Sequence, residues 1–190
     1  MNKHEAMEAL KEDILVNDVC PELRASAIQL VMGDGSLDAD IIFVGEAPGR
    51  KEDETGLPFV GASGKFLDEL LELAGMKRAD VYITSIVKYR PPNNRDPKPD
   101  EKQAFLPYLL KQIEIIQPKA IVPLGRHGME YFLPNEKIGV VHGMATKTTI
   151  NNREVLVIPV YHPAAALYNR SLRQTLIDDF IKIPSLVAQA

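Results

Sequence analysis

The sequence predicts an α/β fold in which a parallel sheet carries helices on both faces. Four short apolar runs, β-branched and nearly continuous, recur along the chain, as strands buried on both faces require. Helical periodicity fills the intervals between them, and that alternation is the pattern of a parallel sheet. With 190 residues, 45% of them hydrophobic, the chain is long enough for one domain spanning 1–190 and its own core.

The elements follow in order. Glu5 to Leu15 is amphipathic and predicts a helix packed across the sheet. Gly33-Asp34-Gly35 reads as a turn before the first strand, Ile41-Ile42-Phe43-Val44. Gly45 to Gly64 then forms a long connection holding five of the 12 glycines. Apolar positions 66, 67, 70, 71, 73 and 74 make one helical face, and Gly75 supplies its stop. Val81-Tyr82-Ile83-Thr84 is the second strand. Pro99 to Ile116 reads as a helix, with Pro99 in its first turn, Pro118 beyond its end and Pro107 placed to kink it. Ala120-Ile121-Val122-Pro123-Leu124 is the third strand. Ala145 to Ile150, Asn151-Asn152 and the run Val155 to Val160 predict a hairpin ending in the fourth strand, because two asparagines tolerate a tight turn's positive φ. A last helix opens on the capping-box pattern Ser171-Leu172-Arg173-Gln174 and lines up Leu172, Leu176, Phe180 and Ile183.

Composition excludes several functions. Lys and Arg total 22 against 26 Asp and Glu, a formal net charge of −4, so any nucleic-acid contact must come from a local basic patch. No apolar run is long enough to cross a membrane, and the start, Met1-Asn2-Lys3-His4-Glu5-Ala6, lacks a signal-peptide stretch, so a cytoplasmic address is expected. A lone Cys20 allows neither an internal disulfide nor a Cys-x-x-Cys metal site. Gly64-Lys65 is not a phosphate loop, since Phe59 stands where the first glycine belongs and Phe66 where a magnesium-binding hydroxyl belongs. Ser63 misses the nucleophile-elbow spacing by one residue.

In open parallel sheets ligands sit outside the carboxyl ends of the strands. There this chain carries Gly45-Glu46-Ala47-Pro48-Gly49, then Ser85 with Lys88-Tyr89-Arg90 and Arg95, then Gly125-Arg126-His127-Gly128, and finally Tyr161-His162-Pro163. Two readings of the first segment stand side by side. It is a solvated surface loop, or its glycines let backbone approach a ligand while Glu46 and Phe59 supply charge and a flat apolar face. His162 is likewise either a satisfied structural histidine or, placed opposite Glu46, a functional one. Lys88, Arg90 and Arg95 form a stiff solvated loop or a phosphate-facing one.

From about Val16 to about Phe180 the chain resembles the uracil-DNA glycosylase superfamily, most closely its family 4, the iron–sulfur branch. The motifs that carry the resemblance are Gly45 to Asp53, Pro58-Phe59-Val60-Gly61, Val81 to Thr84, Lys88 with Arg90-Pro91-Pro92, and His162-Pro163-Ala164. The resemblance implies a three-layer α/β/α sandwich on a central four-stranded parallel sheet. It also implies hydrolysis of the bond between uracil and deoxyribose in DNA, after the base is flipped from the stack, leaving an abasic site. Phe59 would then stack on the base, and His162 would donate to the uracil O2 as negative charge develops. Glu46, or alternatively Asp53, would hold the attacking water and stabilise the cationic sugar. Backbone amides of Gly45, Ala47 and Gly49, with Pro48 between them, would line the pyrimidine edge. Lys88, Arg90, Arg95 and Arg126 would meet phosphates, and Leu167, Tyr168, Asn169 or Arg170 would fill the vacated stack. No β-lyase step is expected, since Lys88 reads as phosphate-facing and not as a desolvated amine.

Two departures stand out. The cluster cysteines of the branch match Asn17, Cys20, Tyr89 and Phe105, and one thiol cannot hold four irons, so no iron–sulfur cluster and no other cofactor is expected. Tyr89 and Phe105 would instead pack near Cys20. Ser85 stands where the family has an asparagine reading the uracil edge, which puts strict uracil selection in question and leaves room for hypoxanthine or xanthine. Neither membrane nor obligatory protein partner is implied. The rival readings are a catalytically weak nucleic-acid-binding module that keeps the pocket, and a flavodoxin-like small-molecule binder.

Overall fold

A computed structural model describes residues 1–190. Six strands form one sheet: β1 (Asp34–Gly35), β2 (Ile41–Gly45), β3 (Tyr82–Ser85), β4 (Ala120–Pro123), β5 (Thr146–Ile150) and β6 (Arg153–Val157). Their order is β1-β3-β2-β4-β6-β5. The inner four are parallel, as expected, and an antiparallel strand flanks each edge. The β5 edge is the expected hairpin, with Asn151 and Asn152 at φ 51° and 62°. The β1 edge is a correction, because Gly33-Asp34-Gly35 does more than turn. Gly35, at φ 119°, lies so close to β3 that a Cβ would sit 1.9 Å from the Val81 carbonyl oxygen.

Nine α-helices accompany the sheet: α1 (Lys3–Val16), α2 (Pro21–Ser26), α3 (Arg50–Thr55), α4 (Ala62–Leu73), α5 (Pro99–Ile116), α6 (Arg126–Phe132), α7 (Ile138–Val141), α8 (Pro163–Tyr168) and α9 (Ser171–Ala188). Strand alternation sorts the core into two layers. Ile42, Val44, Tyr82 and Ile121 pack with Ile14 of α1 and Phe105, Leu109 and Ile113 of α5. Ile41, Phe43, Ile83 and Val122 pack with Leu67 and Leu70 of α4 and Leu176, Phe180 and Ile183 of α9. Each such fully buried side chain contributes about 1.5–3 kcal/mol. The product is the three-layer sandwich.

Two helices carry local detail, and the second departs from expectation. α5 runs through Pro107, whose missing N–H leaves only the solvent-exposed Gln103 carbonyl without its partner. At α9 the capping box does not form, because Asn169 Oδ1 accepts from both the Ser171 amide, at 3.1 Å, and its hydroxyl, at 2.6 Å. A complete box sits instead on α1, between Asn2 and Glu5. The parallel register sets Gly45 beside Ser85, and a bridge pairs Leu124 with Val160. The segments that follow these positions leave the sheet at one edge.

Candidate active site

A cleft of about 550 Å³ opens at that edge. It gathers Glu46, Ala47, Pro48, Gly49, Phe59, Ser85, Arg95 and His162, which sequence reasoning singled out from segments far apart in the chain.

Phe59 forms its apolar wall. Gly45 makes room for the ring, since a Cβ there would lie 2.6 Å from Phe59 Cε2. The phenylalanine backbone is left-handed, at φ 49°, a conformation a bulky residue holds only when its surroundings impose it. Three contacts do so. The Arg78 guanidinium donates to the carbonyls of Phe59, at 3.1 Å, and Pro58, and pairs with Asp68. Glu52 Oε1 accepts from the amides of Val60 and Gly61 at 3.0 and 3.1 Å. Gly64 lets α4 start against the Phe59 carbonyl, where a Cβ would be 1.9 Å from the oxygen. Arg78 carried no signal in the sequence, and Glu52, though inside the Gly45–Asp53 motif, was given no role: their partners are backbone groups of another segment, which no side-chain pattern marks.

His162 faces Phe59 with ring centroids 5.7 Å apart and caps α8, its Nδ1 accepting from the Ala164 amide at 3.0 Å. That bond assigns the proton to Nε2, so the neutral ring is a donor. Burial holds its pKa down to about 4, which keeps it neutral at physiological pH. Gly125, at φ 90°, allows the turn after β4 to pass where a Cβ would be 3.1 Å from His162 Cβ.

Glu46 has one carboxylate oxygen, Oε1, buried without a hydrogen-bond partner in the protein. Burial raises its pKa, opposed by the charges of His127, Lys102 and Arg126 and reinforced by Asp96. Glu46, Asp96 and His127 each bring a potential ligand atom to within 4.8 Å of the others. His127 Nε2 lies 3.9 Å from Asp96 Oδ2 and His127 Nδ1 lies 3.4 Å from Lys102 Nζ, so acids and bases stand side by side next to Glu46. The amides of Ala47 and Gly49, at the cleft wall, make no hydrogen bond within the protein.

Other expected residues lie elsewhere. Asp53 is 1% exposed, its Oδ1 accepting from the amides of Ile28 and Gln29 at 2.8 and 3.3 Å, so it cannot hold a water in the cleft. Lys88 is 0% exposed and cannot meet a phosphate; it is the desolvated amine that the sequence did not announce, sealed from the cleft by its own hydrogen bonds. Gly45 lies behind Phe59. Arg95 borders the cleft but forks onto Glu101 at 2.7 and 3.0 Å, and Arg90 bonds Asn94 at 2.7 Å. Arg126, Leu167 and Arg170 are exposed, and Tyr168, 90% exposed, stands at the cleft rim.

Of the four positions matching the branch's cluster cysteines, Cys20, Tyr89 and Phe105 share one packed core, and the residues at the four do not suit a cluster. The Tyr89 and Phe105 rings meet edge to face at 5.9 Å, and Asn17 bonds Asp13. Burial and the charges of Glu101, Asp100 and Glu22 push the Cys20 thiol up to about 11, disfavouring the thiolate a metal needs. Aromatic packing occupies the place of a crosslink.

Comparison with known proteins agrees with the geometry. The model of the uracil DNA glycosylase superfamily matches residues 32–182. The Type-4 uracil-DNA glycosylase of Sulfurisphaera tokodaii is 45% identical over 190 residues, 96% of this chain and 85% of its own. That of Saccharolobus solfataricus is 50% identical over 159 residues, covering 80% and 74%. That of Thermotoga maritima is 43% identical over 191 residues, covering 97% and 96%.

Proposed function

The chain belongs to the uracil DNA glycosylase superfamily, and from that premise we infer that it is a DNA-repair hydrolase cutting the N-glycosidic bond of uracil in DNA. The observation that carries the assignment of roles is the meeting of a neutral histidine donor, an aromatic wall and an unpartnered carboxylate oxygen in one cleft.

The reaction divides among them. A flipped uracil stacks on Phe59, and the free amides of Ala47 and Gly49 line its edge. As the C1′–N1 bond breaks, its electron pair leaves with the base, and the charge spreads onto O2, where His162 Nε2–H donates. A neutral imidazole suits this task, because it gives a hydrogen bond without surrendering its proton. Water held by Glu46 adds to C1′ and passes a proton to the carboxylate, while solvent protonates the departing uracil anion. The base leaves without a covalent enzyme intermediate, and the sugar is left abasic. Exposed Arg126 and Arg170 and half-buried Arg90 offer charge to the backbone of the DNA, and Leu167 or Tyr168 offers the wedge. Ser85 supplies one hydroxyl to the base edge, so hypoxanthine and xanthine belong among the substrates to be tried.

The test is excision from labelled oligonucleotides carrying uracil, hypoxanthine or xanthine, followed by alkaline cleavage. Glu46→Gln and His162→Ala should each lower turnover by about 10²–10³-fold with binding little changed. Full activity in both variants would remove the assigned roles, and no cleavage at any base by folded wild-type protein would leave only a binding module.

A further inference from the structure

Beneath the cleft floor lies a polar cluster that the mechanism above does not use. Lys88 Nζ donates to Thr84 Oγ1 at 2.7 Å, to Gln112 Oε1 at 2.6 Å and to the carbonyl oxygen of Ser85. Thr84 gives its own proton to the Met32 carbonyl at 2.7 Å, and the Gln112 amide donates to the same carbonyl at 2.9 Å and to the Tyr82 hydroxyl at 3.3 Å. All three groups around Nζ therefore present lone pairs. Three acceptors call for three N–H donors, which only the ammonium form supplies. No carboxylate belongs to this shell, so the cation is buried without an anion.

Burying an unpaired charge is costly, and packing alone does not require one, since a methionine has similar volume and shape. The location suggests what the charge is for. Ser85, whose carbonyl Lys88 holds, lines the cleft, and its hydroxyl lies 3.6 Å from where a Cβ of Gly45 would stand, beside the Phe59 ring. The positive charge thus sits one residue behind the surface that a flipped pyrimidine would touch. In a low-dielectric interior such a charge favours an anion developing in front of it.

We propose that Lys88 is a positioning residue for base excision, fixing the Ser85 strand end and setting a buried positive charge behind the leaving base. The inference rests on the uracil-excision reading. Thr84 and Ser85 of β3 and Gln112 of α5 face the amine, and the titratable side chain joined to them, Tyr82, is neutral because burial pushes its phenol up. With no neighbouring charge to offset burial, the amine's pKa is held down to about 7. The active ammonium is accordingly lost as pH rises through that value.

Single-turnover excision by the full chain tests this, comparing uracil with 5-fluorouracil, whose anion is the better leaving group. Lys88→Met should lower the rate on uracil by about tenfold to a hundredfold with KM within a few-fold, and lower it less on 5-fluorouracil. It should also abolish the fall in wild-type rate above pH 7, and Lys88→Arg, charged at every pH, should move that fall upward. Equal losses on the two bases, or an alkaline limb unchanged in Lys88→Met, would overturn the proposal. If Lys88→Met does not fold, Lys88→Met/Gln112→Leu replaces donor and acceptor together and is read the same way. Wild-type cleavage at uracil in the same assay separates the two levels: its absence overturns the excision reading, and this inference with it.

Discussion

Two residues at the cleft show how one environment sets opposite protonation states. Burial raises the pKa of Glu46, an acid, and lowers that of His162, a base, so each is biased toward its neutral form. The consequences differ. His162 works neutral, and with its pKa near 4 it contributes no limb to the activity profile between pH 5 and 8. Glu46 works as a carboxylate, so excision should rise with pH through a midpoint above the ordinary 4.5 of a glutamate. Stability runs the other way. A raised carboxyl pKa means that the folded state binds more protons than the unfolded one, so stability falls as pH climbs from 4.5 through the folded value. Glu46→Gln should therefore melt at a higher temperature than wild type at pH 7, with the gap closing below pH 4.5. A variant less stable than wild type at pH 7 would show that Glu46 is satisfied in the folded state.

At the scale of elements, the site depends on one loop being held still. The segment from Pro58 to Gly61 carries Phe59 in a left-handed conformation, and the Arg78 guanidinium and the Glu52 carboxylate satisfy its backbone from either side. Arg78→Ala leaves two carbonyls without their charged donor, and hydrogen bonds to charged groups contribute about 1.5–3 kcal/mol each. Urea unfolding should show a loss toward the lower end, because Arg78 is partly solvent-exposed, while KM for uracil-containing DNA should rise severalfold as Phe59 loses its set position. An unchanged KM would mean that Glu52, with the close packing at Gly45 and Gly64, holds the ring without Arg78. Much of this level was legible in the sequence and part of it was not. Strand periodicity, proline at the start of α5 and the paired asparagines each act through local backbone preferences, which a sequence displays directly. Glu46 and His162 were found because strand ends concentrate chemistry, and Phe59 because it lies in the glycine-rich connection and in a motif of the family resemblance. The direction of a side chain is not local: Lys88 folds back onto Thr84 and Gln112, and Asp53 turns to the amides of Ile28 and Gln29, so both were misread as facing the cleft.

For the whole molecule the question is what ties the N-terminal segment to the sandwich. In the iron–sulfur branch that the sequence resembles, a cluster would do so; here Tyr89 packs on Phe105 of α5 in the core that the Cys20 segment joins, and the Cys20 thiol lies 3.9 Å from the Glu101 carbonyl. If aromatic area supplies the tie, iron should be irrelevant and ring contacts decisive. Chelators should leave the melting temperature unchanged, and Phe105→Ala should cost about 3–5 kcal/mol. Tyr89 sharpens the test. It is 2% exposed and its hydroxyl finds no partner in the protein, so the ring stabilises while the oxygen does not. An unsatisfied buried hydroxyl costs about 1–3 kcal/mol, so Tyr89→Phe should leave urea stability unchanged or raise it by about 1 kcal/mol. A substantial loss in Tyr89→Phe would give the phenol oxygen a structural partner, and a melting temperature that falls with chelator would restore a metal to the role assigned here to the rings.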